Sequence, residues 1–208
     1  MGIFSLWGNV RMVVLVAVTA ALYAAILIPF KAFTIIPGFT EMRPANAIPV
    51  VCSLLFGPAA AWGSAIGNLV GDIFGGTFTA GSAFGFLGNF CYGWLPFLLW
   101  RKLTRKAPTL QSGGQIGVFI VACLGSSVVC AAIIAFGLHL IGVPIALALF
   151  KIIFANNAVM SLVLGAVLLV TLYPAVRSLG LLYDQLAAPR DTTERDLDED
   201  PTQPQDVR

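Results

Sequence analysis

The stretch Gly57-Pro58-Ala59-Ala60-Ala61-Trp62-Gly63-Ser64-Ala65-Ile66-Gly67-Asn68-Leu69-Val70-Gly71-Asp72-Ile73-Phe74-Gly75 carries two patterns at once. Gly63, Gly67, Gly71 and Gly75 recur every four residues, while Ser64, Asn68 and Asp72 recur on the adjoining stripe. Residues four apart share one face of a helix. The glycines therefore make a smooth strip on which another helix backbone can lie close, as in small-xxx-small packing. The polar stripe beside them needs a bundle to hide it. Ahead of the helix, Gly57-Pro58 is a turn too tight for any sizeable loop. The apolar run at about 44–57 must then fold back on 59–76 as a hairpin, tilted or partly irregular.

Outward from this hairpin the chain continues in kind. Apolar segments lie at about 12–30, 81–100, 115–139 and 145–174, and a spanning helix needs roughly 20 such residues. Of the 208 residues, 58% are hydrophobic and only 11% charged, with a mean hydropathy of +0.90. A soluble domain carries about 25% charged residues. The expectation is an all-α integral membrane bundle of six transmembrane helices. The first segment is read as a helix and not a cleaved signal, because only Arg11 flanks it and no small-residue cleavage site follows. With Leu6 where a myristoylation signal wants Ser or Thr, no lipid anchor is expected.

Charge divides the chain. Eight of the ten acids lie after residue 183, and Pro189, Pro201 and Pro204 accompany them. Such a segment buries too little apolar area to offset its chain entropy. Residues 1–183 are thus read as a six-helix transmembrane domain, and 184–208 as a disordered acidic cytoplasmic tail. Four cations cluster in Arg101-Lys102-Leu103-Thr104-Arg105-Lys106, which marks a cytoplasmic loop under the positive-inside rule. Six helices then put both termini in the cytoplasm of a cell-membrane protein. Arg11 and Arg177 agree with this, whereas Lys31 and Arg43 in the first outer loop do not.

A charge at a helix centre costs about 2.5–3.5 kcal/mol on insertion scales, so each buried polar group asks for a reason. In odd segments these groups sit toward the C-terminal end: Asn68, Asp72 and His139. In even segments they sit toward the N-terminal half: Asn46, Asn89, Tyr92, Lys151, Asn156 and Asn157. Successive helices run in opposite directions, so both sets reach one face of the membrane, away from the basic loop. With a rise of 1.5 Å per residue, Lys151 would lie roughly 9 Å and Asn156 roughly 16 Å below the outer end of their helix. The pattern describes an outward-facing pocket. Headgroup contact serves as well for His139 and Asn46, and an Asp72–Lys151 pair is a second structural alternative. In the first segment Ala17, Ala21 and Ala25, with Ala20 and Ala24 alongside, form a smooth face for packing within the bundle or for docking on another protein.

Several chemistries are excluded. None of the four lysines follows a glycine, so the chain has no phosphate loop for ATP. One histidine and four scattered cysteines, Cys52, Cys91, Cys123 and Cys130, assemble no zinc cluster or disulfide framework. An aspartyl hydrolase would need two carboxylates in the bundle, and only Asp72 qualifies. The serines that might act with His139 lie several residues deeper than it does. The reading is not an enzyme.

The segment Glu41-Met42-Arg43-Pro44-Ala45-Asn46-Ala47-Ile48-Pro49, the following Leu54-Leu55-Phe56-Gly57-Pro58 and the glycine-rich helix resemble the substrate-binding membrane subunits (S components) of energy-coupling factor (ECF) transporters. Among these the sequence looks most similar to queuosine-precursor transporters. The likeness covers roughly residues 10–175 in architecture and about 41–93 in motif. It implies uptake of a small vitamin-like or modified-base solute, a lid formed by loop 31–44, and docking of Ala17, Ala21 and Ala25 on a transmembrane coupling subunit. Two partner ATPase subunits would hydrolyse the ATP, with no cofactor held by this chain and no nucleic-acid partner. The substrate-binding set becomes Arg43, Asn46, Asn68, Asp72, Asn89, Tyr92, Lys151 and Asn156, with Trp62, Tyr92 and Trp94 as stacking candidates and no metal. The rival readings are a stand-alone carrier in which Asp72 and Lys151 exchange a proton, and a membrane scaffold without ligand.

Overall fold

A computed structural model describes residues 2–36 and 40–187. Six main helices follow one another: α1 (Val10–Phe30), α2 (Ala47–Phe56), α3 (Ala59–Phe74), α4 (Gly81–Leu103), α5 (Gly113–Leu140) and α6 (Ala146–Ser178). A short α7 (Tyr183–Ala187) closes the described chain. Asn9 caps α1 by accepting from the backbone N–H of Arg11 and Met12, which satisfies donors that a helix start leaves open. Ser112 does the same for α5 through Gln115 N–H.

Three stretches are long and apolar enough to cross a membrane: Val10–Phe30, Gly113–Leu140 and Ala148–Ala187. α2 is too short for that, and all ten of its residues are buried among the other helices. It makes the centre of the bundle. The expected hairpin forms, with Gly57 at φ +60° ending α2 before Pro58. That backbone is open to glycine at no steric cost.

Two boundaries differ from the sequence reading. α6 continues through Pro174 to Ser178, where Gly180 at φ +68° follows, because neighbouring elements in a bundle can absorb the bond that proline removes. The expected tail begins inside α7, whose Asp184 accepts from Arg101 at 3.0 Å. The rest of that tail, 188–208, lies outside the described residues. The first outer loop also departs from a plain connection. It carries an antiparallel hairpin of β1 (Thr34–Ile36) and β2 (Thr40–Glu41), with Thr34 opposite Glu41.

The glycine strip of α3 receives α1. A Cβ built on Gly63 would lie 2.5 Å from Thr19, and one on Gly67 would lie 2.8 Å from both the Ala20 carbonyl oxygen and the Tyr23 Cβ. Gly71 and Gly75 meet Leu27 and Lys31 in the same way. The i, i+4 row Thr19, Tyr23, Leu27, Lys31 of one helix thus lies along the i, i+4 row of the other. This contact fixes the register between the two helices, and it turns Ala17, Ala21 and Ala25 outward. All three are exposed, while Thr19, Tyr23 and Leu27 are buried. α4 closes on the other side of α3, with Gly93 against the Ala60 carbonyl and the Ser64 hydroxyl.

Candidate functional site

Where α1, α2, α3, α4 and α6 meet, at the end away from the basic loop, their polar side chains join into one network. Tyr23 of α1 presents its hydroxyl to two amides at once, 3.0 Å from Asn46 Oδ1 and 3.1 Å from Asn89 Oδ1. Asn46 Nδ2 donates to Asn157 Oδ1 at 2.6 Å, tying the start of α2 to α6. Asn89 Nδ2 donates to the Gly85 carbonyl at 2.9 Å. Beneath these, the Tyr92 hydroxyl donates to the Asn157 carbonyl at 3.0 Å.

A second, charged group adjoins the amides. Lys31, just past α1, donates through Nζ to Asp72 Oδ1 at 2.8 Å and to Thr77 Oγ1 at 2.5 Å. The two side chains are only 7% and 10% exposed. Asp72 Oδ2 accepts from Asn68 Nδ2 at 3.4 Å. Arg43 Nη1 donates to Asn68 Oδ1 at 3.3 Å, and the Arg43 backbone N–H donates to Asn156 Oδ1 at 3.4 Å. Both ends of the outer loop are therefore bound to this floor, Lys31 at its start and Arg43 at its end.

The network is not internally complete. One hydroxyl hydrogen on Tyr23 serves two amide oxygens, and Asn157 Nδ2, buried in a residue 3% exposed, has no hydrogen-bond partner among the described residues. The Ser64 hydroxyl is in the same position. Buried polar groups are nearly always paired, so such orphans ask for an explanation. Amide groups carry donor and acceptor edges side by side, and a bound molecule with a matching edge would supply the missing partners.

Seven of the eight residues expected here, Arg43, Asn46, Asn68, Asp72, Asn89, Tyr92 and Asn156, lie in or directly under this network. Lys151 does not. It is exposed on α6 and has no ion-pair or hydrogen-bond partner among the described residues. Asp72 pairs with Lys31 instead, which leaves the proposed Asp72–Lys151 exchange without its second group. Asn46 is 2% exposed and central, which excludes headgroup contact, whereas His139 is exposed at the end of α5. Trp62 and Trp94 take no part. Trp62 Nε1 donates to the Ile3 carbonyl at 2.9 Å, and its ring packs edge-on against Phe90 at 5.0 Å. It anchors the N-terminal segment at the far end of α3, and Trp94 packs beside the same Phe90.

Two members were not foreseen, Tyr23 and Lys31. Tyr23 is the one aromatic residue within 10–29, which is a usable signal in an otherwise aliphatic helix. Lys31 continues its i, i+4 row by two steps. The cysteines are buried or half-buried free thiols.

Residues 13–174 match the family described as QueT transporter. No curated protein and no solved structure matches the chain. With a match over most of its length, the chain belongs to the QueT transporter family.

Proposed function

We propose that this QueT transporter family member is the solute-capture subunit of an ECF-type importer, taking up a queuosine precursor or a similar planar modified base. The observation that carries the reading is the convergence of amide and charged side chains from α1, α2, α3, α4 and α6 under a loop bound at both ends. Among the described residues Asp72 Oδ2 has one donor, at 3.4 Å, so it can still accept from ligand N–H groups. The amide edges of Asn68, Asn156 and Asn157 suit the alternating donors and acceptors of a deazapurine. An apolar, mostly pre-formed cavity with a few placed polar groups is the usual form of such a site.

In this mechanism the hairpin loop opens when Lys31 and Arg43 release the floor, solute binds among the amides, and the loop closes again. The basic loop after α4 and Arg177 support a topology with both termini in the cytoplasm, in which the amide floor faces outward. The exposed Ala17, Ala21 and Ala25 then dock on a transmembrane coupling subunit powered by two ATPase subunits. The loaded subunit reorients against that partner and releases solute inside. Isothermal titration of the purified chain against deazapurines and vitamins tests the capture role. Saturable binding of a deazapurine is the expected outcome, and no binding to any of the panel would overturn it.

A further inference from the structure

The opposite end of the bundle holds a concavity that the amide network does not explain. A cavity of about 340 Å³ lies between the ends of α2, α4 and α6 and the start of α7. Leu54, Phe97, Trp100 and Tyr173 give it an apolar wall, and Arg101, Arg105, Lys106 and Arg177 surround it with four cations against one acid, Asp184.

The backbone of the loop that carries Arg105 and Lys106 is held by buried groups, while the cationic side chains themselves are exposed. Trp100 Nε1 donates to the Lys106 carbonyl at 2.6 Å. Gln115, on the first turn of α5, donates to the Ala107 carbonyl at 2.9 Å, and accepts from the Gln111 backbone N–H at 2.9 Å and the Thr109 hydroxyl at 3.1 Å. The loop is thus pinned from both sides. Arg105 sits in it at φ 53°, a left-handed backbone uncommon outside glycine. The Arg101 guanidinium lies 5.4 Å from the Phe97 ring centre and 5.3 Å from that of Tyr183, and it also bonds Asp184. Four cations around one carboxylate leave the cavity short of negative charge. Trp100, Tyr173 and Tyr183 line it as buried aromatic side chains.

We propose that this cavity binds the phosphate of an anionic phospholipid of the cytoplasmic leaflet, the cations taking the phosphate and the apolar wall the adjoining lipid. Basic pockets between helices on this side are suited to phosphate headgroups. The site rests on the membrane orientation inferred above but on nothing about the transported solute, so failure of solute binding leaves it standing.

The test uses the full chain in neutral detergent, with retention of lipid followed by native mass spectrometry during titration. Phosphatidylglycerol is expected to bind saturably, and phosphatidylcholine and inorganic phosphate are not. Arg105→Gln and Arg177→Gln should each weaken phosphatidylglycerol binding roughly fivefold, the effect of about one surface cation. Lys102→Gln removes the same charge from an exposed residue outside the cavity and should change nothing. Equal losses in all three variants would reduce the effect to general surface charge and overturn the site. Inorganic phosphate binding as tightly as the lipid would assign the cavity to a free anion. If changing Asp196, Asp198, Glu199 and Asp200 to amides strengthened lipid binding, the chain's own acidic segment would be the occupant, and the lipid proposal would fail.

Discussion

Lys31 Nζ lies 2.8 Å from Asp72 Oδ1, and this contact joins the outer loop to the glycine-rich helix. The Lys31 stem crosses Gly75, where an added Cβ would lie 2.7 Å from Lys31 Cε, so the bare backbone there leaves room for its approach to Asp72. The same strip that lets α1 approach α3 therefore also brings the positive charge to the acid. One packing device serves two ends, since it places Tyr23 among the amides four residues after Thr19 and Lys31 on the carboxylate eight residues further on.

Removing one partner of this pair leaves the other as an uncompensated charge in a poorly solvated place. Lys31→Met or Asp72→Asn is expected to destabilise the protein by about 3–5 kcal/mol. The double variant should recover a large part of that loss. Thermal unfolding in detergent over the full double-mutant cycle gives the coupling, and additive single losses would show that the two residues do not act as a pair.

Gly67 tests the helix contact directly. A Cβ there meets the Ala20 carbonyl oxygen and Tyr23 Cβ at 2.8 Å, so Gly67→Ala must push α1 away. Overpacking of this kind costs about 1–3 kcal/mol. Because the shift carries Tyr23 with it, solute affinity should fall as well. A Gly8→Ala control, with open space around its Cβ, should leave both unchanged. Retained affinity in Gly67→Ala would separate the packing from the site.

Tyr23→Phe keeps the ring and removes one hydroxyl. Asn46 Oδ1 and Asn89 Oδ1 then lose a donor together, and an unsatisfied buried acceptor costs about 1–3 kcal/mol. The expected result is a lower unfolding midpoint and, on the proposed capture of a deazapurine, weaker binding of that compound by calorimetry. Trp94→Phe, away from the network, should leave affinity as it was. If both variants bind alike, Tyr23 has no part in holding the amides in place.

Ala17→Leu with Ala21→Leu fills the outward face of α1 without touching its inward row, since both positions are exposed and their neighbours Thr19 and Tyr23 are buried. Ligand binding by the isolated chain should survive, while uptake into cells that also express the proposed coupling and ATPase subunits should be lost. Normal uptake by this variant would exclude that face as the docking surface.

Much of the molecule was legible in the chain. The alternation of apolar runs and punctuation gave six helices whose ends fall within a few residues of those observed, because a helix that must satisfy its own backbone in an apolar medium is specified locally. The parity of the polar positions foretold which end of the bundle would gather them, since counter-running neighbours bring opposite helix ends to one side. The glycine period foretold a close approach but not its partner. The sequence reading offered Lys151 as the partner of Asp72 and did not offer Lys31, which makes the pair.

Side-chain direction around a helix axis depends on the neighbours it packs against, and that is where tertiary structure decided. It turned Lys151 outward and Lys31 inward, sent Trp62 and Trp94 to the other end, and made Tyr23 a hub. It also brought the ends of α2, α4 and α6 around one basic cavity, although Leu54, Arg101 and Arg177 are far apart in the chain. Composition, period and direction of run are properties of the sequence itself. The rotational setting of each helix and the meeting of distant residues arise only when the helices pack, because burial and pairing are then evaluated across the whole bundle.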